Sequence, residues 1–253
     1  MSAALRKTLR TLAVVLFWLL AWQLAAALAG QELLLPSPLR VARELIRLAG
    51  GAEFWLTVAQ SIRRVLTGIA SAVLLGILLA LLTHKSAVLR ALLSPVMTLV
   101  KSTPVASFII LALVWLGRDV VPPVIAALMV LPVVWANVSQ GLDGIDPQLL
   151  ELAQVCRLPR GRVFRRITLP SVLPHLRAAL CSALGLGWKA GVAAEILTVP
   201  ARSIGKRIYE AKIYLETTEL FAWTAAVVLL SLAIEGLLLR LVKQLGKGGG
   251  ARA

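Results

Sequence analysis

The chain has 253 residues, of which 59% are hydrophobic and 15% charged, and its formal net charge is +15. That balance excludes an ordinary soluble domain: the apolar residues come in runs of membrane-span length rather than in amphipathic stripes. The excess of Lys and Arg reads as the basic flanks of such spans and not as a nucleic-acid surface, because no basic segment is interleaved with aromatic residues.

A first apolar run, residues 11–29, follows Arg6, Lys7 and Arg10 and reads as a retained span. Ala27-Leu28-Ala29 resembles a small-residue cleavage site, which leaves a removed signal peptide as the alternative. Residues 30–64 form an outer segment. Within it, Ser37 and Pro38 start a helix that puts Arg40, Arg43, Glu44 and Arg47 on one face and Leu39, Ala42, Leu45 and Ile46 on the other. Such a helix lies along a membrane surface. A second span covers 65–82. The third, 91–115, contains Pro95 and Pro104, and Pro104 is expected to kink it near Val100. Span four, 121–141, carries Pro122, Pro123 and Pro132. Span five covers 173–197, and an outer loop, 200–219, holds a short helix over 208–215. Thr217 or Thr218 can cap the last span, 219–241.

The sum is an all-α integral membrane protein with about six transmembrane helices in one domain, 1–253, ending in a glycine-rich tail, 246–253, expected to be disordered. Basic residues gather before span one, near 85–90, between spans four and five, and after span six. That asymmetry puts both termini on the cytoplasmic side. His84 and His175 fall at inner boundaries, where solvated roles are expected. Cys156 and Cys181 are placed too differently for a disulfide or a metal pair.

The most informative stretch joins spans four and five. Asp146 can cap a helix whose first residue is Pro147; a second short helix, 160–167, follows Leu158-Pro159 and is expected to stop at Leu169-Pro170. Arg157, Arg160, Arg162, Arg165 and Arg166 mark the stretch as cytoplasmic. A polar helix–turn–helix held at the inner surface is a docking element for a soluble partner. No Gly, four residues, Gly-Lys-Ser/Thr loop exists, so energy comes from a partner or from an ion gradient. No metal-ligand cluster, serine elbow or paired intramembrane carboxylates point to an enzyme.

Glu151, Ala153, Ile167, Leu169 and Pro170 have the spacing of the EAA loop, and the chain resembles the permease subunits of binding-protein-dependent ABC importers. Two positions depart from that pattern: Leu152 stands where Ala is usual, and Arg157 where Gly is usual. A left-handed Arg costs about 1–2 kcal/mol, and Pro159 and Gly161 offer a place to relocate the turn. The resemblance covers most of 55–243. It includes Lys101-Ser102-Thr103-Pro104 and the stretch from Trp188 and Lys189 to Glu195, which look most like the nitrate/sulfonate/taurine branch. It implies two permease copies, a cytoplasmic ABC ATPase in two copies binding the ATP, and an extracytoplasmic solute-binding protein. It further implies a plasma-membrane location, no cofactor in this chain, and a small anionic or zwitterionic solute or vitamin precursor. The rival readings are an ion-coupled secondary transporter, which would want acids or histidines deep in spans two to four, and a non-transporting membrane scaffold.

Charges inside spans need a reason. Counted along a straight helix from residue 91, Lys101 lies about 15 Å deep, near mid-bilayer. Lys101, Ser102, Thr103 and Pro104 are therefore candidates for the translocation path, with an interhelical anchor as the alternative for Lys101. Trp188 and Lys189 are further candidates. Glu195, also a candidate, falls near the outer interface, where solvation is the expected role. Lys189 and Glu195 are six residues apart and point to different faces of a straight helix. Gly187 and Gly191 form a small-xxx-small face suited to close packing, for instance between two permease copies. In the loop, Glu151 either meets a basic group of the ATPase or pairs locally with Arg157.

Overall fold

The computed structural model describes residues 3–247, which fold into helices. In chain order these are α1 (Ala3–Ala29), α2 (Pro38–Ala49), α3 (Ala52–Lys85), α4 (Ala87–Ser102), α5 (Val105–Trp115), α6 (Val121–Asp143), α7 (Pro147–Val155), α8 (Arg160–Val163), a π-helical turn (Phe164–Thr168), α9 (Leu169–Thr198), α10 (Ile204–Ile213) and α11 (Thr217–Lys247). Among the described residues, five helices are long and apolar enough to cross a membrane. The count is six if α4 and α5 are taken as one broken span. From Gly248 onward the expected disordered tail lies outside the described residues.

α6 is the centre of the bundle, packed along α3 on one side and α9 on the other. The core runs through Val65, Ile69 and Ala72 of α3, Val130 and Val134 of α6, and Ala183 and Trp188 of α9. In lipid, contact of this kind is held by close van der Waals packing, because tails are as apolar as the side chains they would replace. Gly187 and Gly191 serve that packing within one chain. A Cβ on Gly187 would meet Ile69 at 2.7 Å, and one on Gly191 would meet Val65 at 2.6 Å. Their face is thus filled by α3 and α6 and is not free for a second permease copy.

α1 is peripheral, with the apolar span Thr8–Ala29 exposed around its circumference. Its Trp22 donates from Nε1 to the Pro36 carbonyl at 3.1 Å and lies 6.0 Å from the Phe221 ring. α2 starts as its sequence dictates: the Ser37 hydroxyl accepts from the Arg40 amide, and Pro38 occupies the first turn.

Four expectations change. α3 begins at Ala52, thirteen residues before the apolar run at Val65, because its first turns pack on the outer elements, Phe54 on Trp223 and Glu53 with Arg207, and extend one continuous helix. The helix of the 200–219 loop starts at Ile204, where Ser203 caps it by accepting from the Lys206 amide. Pro104 does not merely kink span three: α4 and α5 are separate helices meeting at 107°. Pro104 cannot donate to the α4 ladder, and the 103–104 junction is extended, with ψ of 134° and 132°. Finally, no stop occurs at Leu169-Pro170. α8, the π-turn and α9 form one 39-residue helix, Arg160–Thr198. The π-turn admits the proline: the Leu169 amide reaches back five residues to the Phe164 carbonyl, and Pro170 sits in the first turn of the α-helix that follows.

Candidate functional site

One end of the bundle, the loop end, carries the helix–turn–helix. α6 finishes there at Asp143, whose carboxylate is ion-paired with Arg90 and lies 3.2 Å from His84 Nδ1, tying the α3–α4 connection to α6. Three residues on, Asp146 caps α7: its Oδ1 accepts from the Gln148 amide at 2.9 Å, with Pro147 at the first helical position. α7 turns Ala153 inward, 4% exposed, and presents Leu149, Leu150, Leu152 and Val155 to the outside. Glu151 is exposed and, among the described residues, makes no ion pair; the local pair with Arg157 does not form.

α7 ends in a Schellman turn. Arg157 is left-handed, with φ 49°; its amide donates to the Gln154 carbonyl and the Leu158 amide to the Ala153 carbonyl, both at 2.9 Å. The turn therefore stays where the family pattern has Gly, and is not relocated to Pro159 or Gly161. Gly161 lies in α8 with no positive φ and no neighbour within 4 Å of where a side chain would begin. Between α7 and α8 opens a groove of about 590 Å³, lined by Leu150, Ala153, Arg157, Leu158, Arg160 and Phe164. Ile167 is half-buried in the π-turn, its carbonyl accepting from the Ser171 hydroxyl at 2.8 Å; Leu169 and Pro170 are exposed at the start of α9.

The break between α4 and α5 organises the next group. Three donors converge on the Leu99 carbonyl: the Ser102 hydroxyl at 3.1 Å, the Thr103 hydroxyl at 2.8 Å and the Thr103 amide at 3.0 Å. Both hydroxyls are thus committed to capping α4. Lys101, in the same last turn, is exposed and without an ion pair among the described residues, as is Lys189 of α9. The 107° bend also removes the straight-helix count that set the depth of Lys101. Trp188 turns the other way from its neighbour: it is 1% exposed and donates from Nε1 to the Val227 carbonyl of α11 at 3.2 Å.

Glu195 overturns the expectation of a solvated carboxylate. It is fully buried at the opposite, far end of the bundle, where Ser61 Oγ donates to it at 2.8 Å, Arg64 Nη1 at 3.0 Å and the Gly205 amide at 3.3 Å. Arg64 also donates to Asp119 at 3.1 Å and to the Ala201 carbonyl at 3.2 Å. Ser61, Arg64 and Asp119 were not singled out in the sequence because Arg64 stood at the edge of an assumed outer segment. The signal was Glu195 itself, since a carboxylate within an apolar span demands a cation.

The family model described as "Binding-protein-dependent transport system inner membrane component" matches residues 72–247. The chain is 26% identical over 243 residues to the taurine transport system permease protein TauC of Escherichia coli, covering 93% of this chain and 86% of that protein. It is 28% identical over 215 residues to the bicarbonate transport system permease protein CmpB of Synechococcus elongatus, covering 79% and 76%. Against the putative aliphatic sulfonates transport permease protein SsuC of Bacillus subtilis it is 25% identical over 203 residues, covering 79% and 73%. A chain of a bacterial alginate ABC transporter, solved in complex with an alginate pentasaccharide-bound periplasmic protein, shares the fold with a TM-score of 0.56. There the identity is 16%, covering 93% of this chain and 92% of that one.

Proposed function

The chain belongs to the binding-protein-dependent transport system inner membrane components, as a multi-pass ABC importer permease and not an enzyme, and from that premise we propose how its parts divide the work. The loop end faces the cytoplasm, where α7 docks in a groove of the ABC ATPase. The far end, with α2 and α10, faces the solute-binding protein. Two copies of the chain enclose the path, two ATPases bind the ATP, and both termini are cytoplasmic. The solute is a small anion or zwitterion of the sulfonate, taurine or bicarbonate kind. Lys101 and Lys189 support that class: both are exposed cations of membrane helices with no ion-paired acid among the described residues.

The observation that carries this reading is the construction of α7. It is a short capped helix with an exposed apolar face, joined by one turn to the 39-residue helix that crosses the bundle. The test is reconstitution of the permease with its ATPase and binding protein in vesicles, with taurine, bicarbonate and an alkanesulfonate as solutes. ATP-dependent, saturable uptake of one of them is expected. Failure of all three with an assembled, hydrolysing complex would refute the anion class.

A further inference from the structure

Four outer elements meet at one guanidinium. Arg64 of α3 reaches Glu195 of α9, Asp119 between α5 and α6, and the Ala201 carbonyl between α9 and α10. Its side chain is 12% exposed, that of Glu195 0% and that of Asp119 64%, so the fork runs from the buried interior out to water. The Glu195 carboxylate continues inward to the first turn of α10 through the Gly205 amide, and Ser61 joins the same point by donating to Glu195 and accepting from the Ile204 amide at 2.9 Å. There is no room for slack: a Cβ on Gly205 would lie 2.4 Å from Glu195.

The segment held down in this way is strained. Val199 and Arg202 are both left-handed, at φ 49° and 46°, although neither is glycine and Val199 is β-branched. Such conformations persist only where the surroundings over-determine them. Here the surroundings are Arg64 on Ala201, Ser203 on the Pro200 carbonyl at 3.0 Å, and Glu195 on α10. Strain in the turn thus opposes the ionic fork that holds it.

We propose that Arg64 is a positioning residue of the transport cycle: its fork to Glu195, Asp119 and Ala201 clamps α10 and the 199–202 turn over the far end of the path in the resting state, and parts when the ATPases close. The clamp rests on the importer reading, since only the ATPase supplies the opposing pull. Its parting breaks a buried charge pair, which the protein tolerates only if water reaches Glu195 as the turn lifts and Arg64 moves out to the rim.

The test uses the full permease–ATPase complex in vesicles, with Cys156→Ser and Cys181→Ala, and Ala211→Cys on α10 as a reporter thiol. Ala211 is buried, so an impermeant maleimide labels it slowly at rest. ATP with vanadate should accelerate labelling about tenfold. Arg64→Gln should label at that higher rate without nucleotide, gain nothing from ATP–vanadate, and hydrolyse ATP without needing binding protein. Should Arg64→Gln not assemble, Asp119→Asn removes only the exposed arm and should raise resting labelling about two- to fivefold; Arg64→Lys should fall between. Resting labelling of Arg64→Gln or Asp119→Asn equal to the parent, or parent labelling indifferent to ATP–vanadate, would overturn the clamp. ATP-driven uptake by the parent complex, measured in the same vesicles, reports separately on the importer reading.

Discussion

Gly68 of α3 passes so close to Pro123 of α6 that a Cβ built on it would sit 2.1 Å from the Pro123 carbonyl oxygen. The obstacle is backbone, which cannot swing aside as a side-chain tip would. Gly68→Ala should therefore push α3 off α6 and cost about 1–3 kcal/mol, seen as a fall of several degrees in the thermal midpoint in detergent. Gly117→Ala, where nothing lies within 4 Å, is the control and should leave the midpoint unchanged. An unaffected Gly68→Ala would mean that the two helices pack less closely than this.

Glu151→Lys should uncouple the permease from its ATPase. The carboxylate stands on the exposed side of α7 with no ion-pair partner among the described residues, and losing one member of a charge pair buried in an interface costs about 2–5 kcal/mol, against under about 1 for an exposed pair. Co-purification should drop at least tenfold on that scale, or hydrolysis should cease to respond to loaded binding protein, while the permease still inserts. Normal complex formation with normal stimulation would exclude coupling through Glu151.

Arg157→Gly should tighten the loop. A left-handed Arg costs about 1–2 kcal/mol relative to its ordinary conformation, and glycine removes most of that while giving back some backbone entropy. A net gain of about 1 kcal/mol would slow hydrogen exchange of the Leu158 amide, which is bonded to Ala153, about fivefold. Arg157→Val should accelerate it. Equal exchange in all three proteins would contradict the Schellman turn.

Lys101→Met should slow uptake about tenfold at low solute concentration, the worth of one charge-assisted contact, with ATPase assembly intact. Lys101→Arg should retain most of the rate. Normal transport by Lys101→Met would remove the end of α4 from the path.

Local chemistry was legible in the sequence and distant partnership was not. Ser37-Pro38 and Asp146-Pro147 announce helix starts because a cap is settled within four residues, and both caps form as written. Pro104 announces a disturbance but not its size. Whether the chain kinks or breaks depends on whether α5 finds α6 and α9 to lie against, and it does. The start of α3 was hidden because Glu53, Arg63 and Arg64 interrupt the apolar pattern while their backbone remains helical. Glu195 declared itself out of place in an apolar span, yet its cation is 131 residues away, and no spacing rule reaches that far.

The unbroken run from Arg160 to Thr198 makes the molecule a machine with a long arm. At 1.5 Å per residue its 39 residues extend about 58 Å, so a tilt of about 10° imposed at Arg160 displaces the Thr198 end by about 10 Å. That equals the separation of two packed helices, about 8–10 Å between axes. A rearrangement at the loop the size of a side chain is therefore amplified into one the size of a helix at the other end, because the helix between them is continuous.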